Sequence, residues 1–245
     1  MKKLTMITLI LVLILSSAAC GNQSGPTPGV KNTQPQQIKN YHDFLTDKES
    51  VYYYEGTVKE KAAGSKPVKS GIAGAGNGAG KYVILSGPST KKLIKRALFD
   101  GTNQHYVMNR ETKTYYREDN DPADQDFNNL TYSKSSVMKI NGKSYQYDEF
   151  EKQWSIPVFE EGVSGGQSIE YWLNIERYIT DGKGNLYGIQ RLQKNLGANR
   201  SAKGKIQWQR MVTITKFQVG TTPKGIFDIP TDYKKTEAGS GLSGE

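Results

Sequence analysis

A chain of 245 residues that is 36% hydrophobic, 10% aromatic and 23% charged excludes both a polytopic membrane protein and a wholly disordered one. Thirteen of its apolar residues fall in the first 19 positions; the remainder still suffices for one core, enlarged by fifteen tyrosines and seven phenylalanines. The formal charge is +9, or +7 without residues 1–19, which carry two lysines and no acid.

The amino terminus has the order of a secretory signal peptide: Lys2 and Lys3, a mostly apolar run from Leu4 to Leu15, then small residues. Twelve residues are too few for a membrane-spanning helix, which needs about 20. Cys20, the single cysteine, follows Ser17-Ala18-Ala19 directly. This arrangement resembles a bacterial lipoprotein lipobox, with Ser17 standing where the pattern most often has leucine. The resemblance implies that residues 1–19 are removed and that Cys20 becomes the first residue, carrying diacylglyceryl and acyl (palmitate-type) chains. Two chains hold a protein stably at a membrane where one does not. The expected location is therefore outside the cytoplasm, on the cell membrane. Residues 20–37 then form the anchor and a tether with three prolines and no aromatic residue, able to reach up to about 50 Å. The folded domain is expected over 38–235, with a Gly/Ser-rich, frayed tail over 236–245.

Within the domain, Ile38, Tyr41, Phe44 and Leu45 recur at helical spacing and predict one short helix ending near Asp47. Residues 51–60, 81–86, 92–99, 104–109, 137–140, 143–150, 169–180, 186–193 and 205–219 read as strands, rich in tyrosine and β-branched residues. The Gly/Ala-rich stretch 71–80 reads as a pliable strand edge or loop. Asp100-Gly101, Asn141-Gly142 and Asp181-Gly182 mark tight hairpins, so consecutive strands are antiparallel. Residues 121–130 open with Asp-Pro and predict a second short helix. In the strand over 169–180, Ile169, Tyr171, Leu173 and Ile175 line one face. Ser168, Glu170, Asn174 and Glu176 line the other, with Trp172 the exception, so the first face is expected inside and the second in water. In the last long strand Ile206, Trp208, Val212 and Ile214 share a face interrupted by Arg210. The apolar phase then moves to Phe217 and Val219, which predicts a bulge near Thr215 and Lys216. The fold class is mainly β (α+β): a large curved antiparallel sheet or half-barrel with one or two short helices.

The chemistry-bearing motifs fail one by one. Residues 71–81 miss the phosphate-loop pattern at Ala75 and Tyr82. Gly162-Val163-Ser164-Gly165-Gly166 matches the nucleophile-elbow letters, but strand follows it and His42 and His105 both precede it. Two histidines and one cysteine make no metal set, and the acidic turns around Asp121 and Asp148 lack calcium-loop spacing. No catalytic residue, metal or cofactor is expected, and the chain is read as a non-enzyme. The basic clusters Lys91, Lys92, Lys95, Arg96 and Arg200, Lys203, Lys205, Arg210 lack interleaved stacking aromatics, so nucleic acid is not an expected partner.

The short N-terminal helix, the hairpin over 98–107 and the ending Gly225-Ile226-Phe227-Asp228-Ile229-Pro230-Thr231-Asp232-Tyr233-Lys234 together resemble the lipoprotein-carrier superfamily of LolA-like and LolB-like proteins. The resemblance implies an incomplete antiparallel barrel whose concave apolar face accepts acyl chains. The residues expected to line such a cavity are Ile169, Tyr171, Leu173, Ile175, Ile206, Trp208, Val212 and Ile214. The leading function is a membrane-anchored envelope lipoprotein that binds or carries a lipid or other hydrophobic ligand. The alternative is an envelope interaction or sensor module with a filled core, engaging a protein partner through its basic outer face.

Overall fold

The computed structural model describes residues 38–99, 104–119, 127, 129–159, 167–201 and 204–237. The signal peptide, Cys20 and the tether lie outside them, as do Asp100-Gly101, residues 162–166 and most of the expected second helix. Among the described residues there is one α-helix, α1 (Tyr41–Thr46), and twelve strands: β1 (Val51–Ala62), β2 (Val68–Asn77), β3 (Tyr82–Gly87), β4 (Lys95–Phe99), β5 (Gln104–Asn109), β6 (Thr114–Asp119), β7 (Thr131–Ile140), β8 (Lys143–Phe159), β9 (Gln167–Thr180), β10 (Leu186–Gly197), β11 (Lys205–Val219) and β12 (Lys234–Lys235). They form one open, curved sheet in the order β12-β6-β5-β4-β3-β2-β1-β11-β10-β9-β8-β7, not closed into a barrel. All pairs are antiparallel except β12 on β6.

The order describes two meanders, β1–β6 and β7–β11, zipped together by β1 against β11. Residues between strands pack on both faces of the sheet. The link from β6 to β7 carries Phe127 and Leu130, which pack with α1 on one face, hereafter the helix face. The link from β11 to β12 lays Ile226, Phe227, Ile229 and Tyr233 on the other face, over β1–β6. The register confirms the separation: Tyr52, Tyr54 and Val58 of β1 join the helix-face core, while Tyr53 joins the core beneath residues 226–233.

Local chemistry accounts for the punctuation. Asn40 caps α1 by accepting from the Asp43 amide at 3.3 Å. Asn141 and Gly142 both hold positive φ, 50° and 79°, closing the two-residue hairpin between β7 and β8. Where β1 meets β11 the register slips so that Thr215 has no opposite partner, the expected bulge, and Ile214 and Phe217 thereby both reach the helix-face core.

Residues 71–80 depart from expectation. Residues 71–77 belong to β2, hydrogen-bonded between β1 and β3 in the middle of the sheet rather than at an edge. Small side chains are needed there because the Tyr54 and Tyr52 rings lie flat on the strand; a Cβ on Gly74 or Gly76 would collide with them. Ala73 and Ala75, on the other face, are equally buried. β6 was not foreseen, and β7, β8 and β10 run longer than their apolar cores suggested.

Candidate functional site

Partners directly opposite in an antiparallel ladder share a face, so the register assigns each side chain. On β9, Tyr178, Glu176, Asn174, Trp172 and Glu170 point to the helix face. Beside them stand Phe150, Lys152 and Trp154 of β8 and Ile189, Arg191, Gln193 and Asn195 of β10. Val212, Arg210 and Trp208 of β11, then Val58 and Glu60 of β1, complete the row. Moving along β9 away from α1, this surface changes from dry aromatic packing to a buried polar tier and then to paired indoles.

The first tier fixes the helix. His42 stacks on Phe150 with centroids 4.0 Å apart and meets Tyr178 edge-on, while Tyr41 meets Phe217 edge-on at 5.7 Å. The Tyr41 hydroxyl donates to the Gly184 carbonyl and accepts from the Leu186 amide, both at 3.1 Å. α1 is thereby tied to the β9–β10 turn as well as to the sheet.

The second tier is charged and buried. Glu176, with no exposed surface, accepts from Arg191 Nε at 2.6 Å and from the Tyr178 hydroxyl at 2.8 Å. Burial raises the Tyr178 hydroxyl pKa, and the neighbouring Glu176 charge raises it further. Burial likewise pushes Tyr54 up to about 12, against the opposing pull of Arg210 and Arg191. Arg191 lies 4.9 Å from the centre of the Phe127 ring. Arg210 Nη1 is 3.9 Å from Glu60 Oε2, and the other Glu60 oxygen accepts from Trp208 Nε1 at 2.9 Å. Two arginines and two glutamates thus offset one another on a floor that water reaches poorly.

The third tier holds Trp154 and Trp172, opposite each other across β8 and β9 with centroids 5.6 Å apart and planes 20° from parallel. Asn195 Nδ2 donates to Glu170 Oε2 at 2.9 Å beside them. All three tryptophans of the chain therefore lie on the helix face, beyond α1, with Phe127 6.0 Å from Trp208.

The eight residues expected to line one apolar face do not share one. Ile169, Tyr171, Leu173 and Ile175 point away from the helix face, because Ile175 pairs with Leu192 and Leu192 with Gln209. Trp208, Val212 and Ile214 point to the helix face. Ile206, beyond a register shift and opposite Lys194, is 46% exposed, and Ile169 is 48% exposed. The inside and outside of β9 are also redistributed. Asn174 and Glu176, assigned to water by their polarity, are both completely buried. The signals in the sequence were Trp172 and Tyr178, in phase with them, and Arg210 in the apolar phase of β11: a large aromatic on a polar face, and a cation on an apolar one.

The basic clusters separate too. Arg96 is buried on the opposite face, its Nη2 donating to the Asp228 carbonyl, and Lys92 pairs with Glu111 at 2.7 Å. Arg210 is buried beside Glu60, while Arg200 stacks over Tyr171 at 4.0 Å. The first cluster does not form one basic patch, and Lys203 of the second lies outside the described residues. Among the described residues no group of three or more His, Cys, Asp or Glu side chains is placed to hold a metal ion, and no helix is long and apolar enough to cross a membrane.

No protein-family model and no curated protein sequence matches the chain. Solved structures do. A LolA superfamily protein of Nitrosomonas europaea aligns over 73% of this chain and 90% of its own, at 10% identity and a TM-score of 0.32. A Vibrio parahaemolyticus domain assigned to outer-membrane lipoprotein sorting aligns over 73% and 89%, at 11% identity and a TM-score of 0.32. Both likenesses are too low to transfer a family, a ligand or a residue role.

Proposed function

We propose that this chain is an exported lipoprotein, anchored in the membrane through Cys20, whose domain binds a lipid or another hydrophobic molecule on the helix face of its open sheet and performs no catalysis. The observation that carries the reading is the gathering of Trp154, Trp172 and Trp208 on that face, beyond the reach of α1. Aromatic side chains combine large apolar area with a polar tip, and a few of them around placed polar groups is the usual lining of a small-molecule site. The surface grades from apolar rings under α1 to paired charges and then to indole N–H groups, which matches a molecule that is itself apolar at one end and polar at the other.

The test is native mass spectrometry on the mature chain, residues 20–245 with Cys20→Ser, purified from its cells without detergent. A co-purifying lipid-sized mass is the expected result. A bare mass, together with tryptophan emission that stays unchanged when dodecanoate is added, would refute the reading. The anchor is tested separately: Cys20→Ser should move the protein from the membrane to the soluble fraction.

A further inference from the structure

Ile169, Tyr171, Leu173 and Ile206 lie on the face opposite the helix face and take no part in the site above. Leu173 pairs with Lys194 and Lys194 with Ile206, so all four share that face. Neither hydrophobic core includes them. Along β8, the residues on the same face, Gln153, Ser155 and Pro157, are exposed, as are Ile169 and Ile206, while Tyr171 and Leu173 between them are half-buried. Single exposed isoleucines are ordinary on a protein surface. Here Ile169, Tyr171 and Leu173 follow at every second residue of β9, with Ile206 two strands away, and form one contiguous apolar strip.

Its charge has one sign. Lys194 stands between Leu173 and Ile206, and Arg200 lies 4.0 Å from the centre of the Tyr171 ring. Among the described residues no carboxylate shares the strip: Glu170 and Glu176 point to the helix face, and Glu151 of β8 lies one row back, opposite Ile175. We propose that this strip is a docking surface for an anionic lipid bilayer, a contact with the membrane that is separate from Cys20 and from the ligand on the helix face. Each lysine or arginine near an anionic headgroup layer is worth about fivefold in affinity. Tyrosine and the long basic side chains lay their apolar parts in the interface and keep their polar ends in water, and Ile169 and Ile206 supply apolar area to bury at the acyl boundary. A second copy of this chain would bring the same cations to the strip and no acid to pair with them. Docking of this kind is reversible and screened by salt, so it orients an anchored domain without replacing the anchor.

The test is sedimentation of the mature chain, residues 20–245 with Cys20→Ser, with vesicles of phosphatidylcholine alone or mixed in equal parts with phosphatidylglycerol. Binding to the mixed vesicles is expected, falling as salt is added, with none to phosphatidylcholine alone. Lys194→Glu with Arg200→Glu should weaken it by about tenfold or more, and Ile169→Asp with Ile206→Asp, both at exposed positions, by a similar factor. Lys143→Glu with Lys183→Glu makes the same change in net charge at the opposite ends of β8 and β10 and should leave binding unaltered. An equal loss in that control pair would reduce the attraction to net charge and overturn the docking face. So would a lack of binding to the mixed vesicles, or a dimer in solution that Ile169→Asp with Ile206→Asp dissolves, which would assign the strip to a second copy. Dodecanoate binding should persist in all these variants. Its absence from the parent chain would refute the ligand reading alone, because vesicle binding is read without it.

Discussion

The two hydrophobic cores of this sheet lie on opposite faces and differ in chemistry. Under residues 226–233, the β1–β6 half packs Tyr53, Ala73, Ala75, Val83, Leu85, Leu98, Met108 and Ile226, with Arg96 as the charged residue at its border. Under α1 and Phe127, the β8–β11 half buries Asn174, Glu176, Arg191 and Arg210 beside its aromatic rings. The core beneath residues 226–233 is thus apolar, with Arg96 at its border. Buried ion pairs are weak contributors to stability and can often be replaced by apolar residues at no cost. The difference locates the face whose composition stability does not explain, and it is the face that carries the three tryptophans.

The comparison can be broken by removing the charges. Glu176→Ala removes the acceptor of the Tyr178 hydroxyl and a buried ion-pair partner of Arg191, and should lower stability by about 3–5 kcal/mol in urea denaturation. Glu176→Met combined with Arg191→Met should recover most of that loss; a double variant as unstable as the single would make the network structural. In the dry half, Ile226→Ala should cost about 2–4 kcal/mol, while dodecanoate affinity is retained. A parallel loss of affinity would couple the halves and dissolve the distinction.

Alkaline pH sharpens it. Burial pushes Tyr54 and Tyr53 up to about 12 from 10.0, Tyr53 with help from Glu55. A raised hydroxyl pKa means that the folded state keeps its proton longer, so this stability is complete below about pH 10 and is lost as pH rises toward 12. Ultraviolet titration should show these tyrosines ionising only with unfolding, and Tyr54→Phe should lessen the loss by about 2 kcal/mol. Ionisation of Tyr54 in the folded protein near pH 10 would contradict its burial. The smallest effect is expected for Tyr41→Phe, about 1–2 kcal/mol, because the Leu186 amide loses its acceptor. Unchanged thermal stability would mean that α1 is held by its rings alone.

The helix at Tyr41–Thr46, the Asn141-Gly142 hairpin and the bulge at Thr215 were legible because each is written in a few neighbouring residues: an apolar period, a pair tolerant of positive φ, a slip of phase. Residues 71–77 were misread for the converse reason. A Gly/Ala run looks like a loop until the tyrosines 20 residues earlier are seen to lie on it. The candidate site was hidden in the same way. Glu176 and Asn174 read as solvated, and become interior because α1 and Phe127 pack on the face that they occupy.

Alternation along one strand thus fixed the two faces of that strand, and the turn residues fixed which strands follow each other antiparallel. Which face of β9 continues into which face of β11 was decided by the register through β10, and what covers each face was decided by α1 and Phe127 on one side of the sheet and residues 226–233 on the other. A period of two is local to a segment, whereas burial depends on what the rest of the chain lays over it.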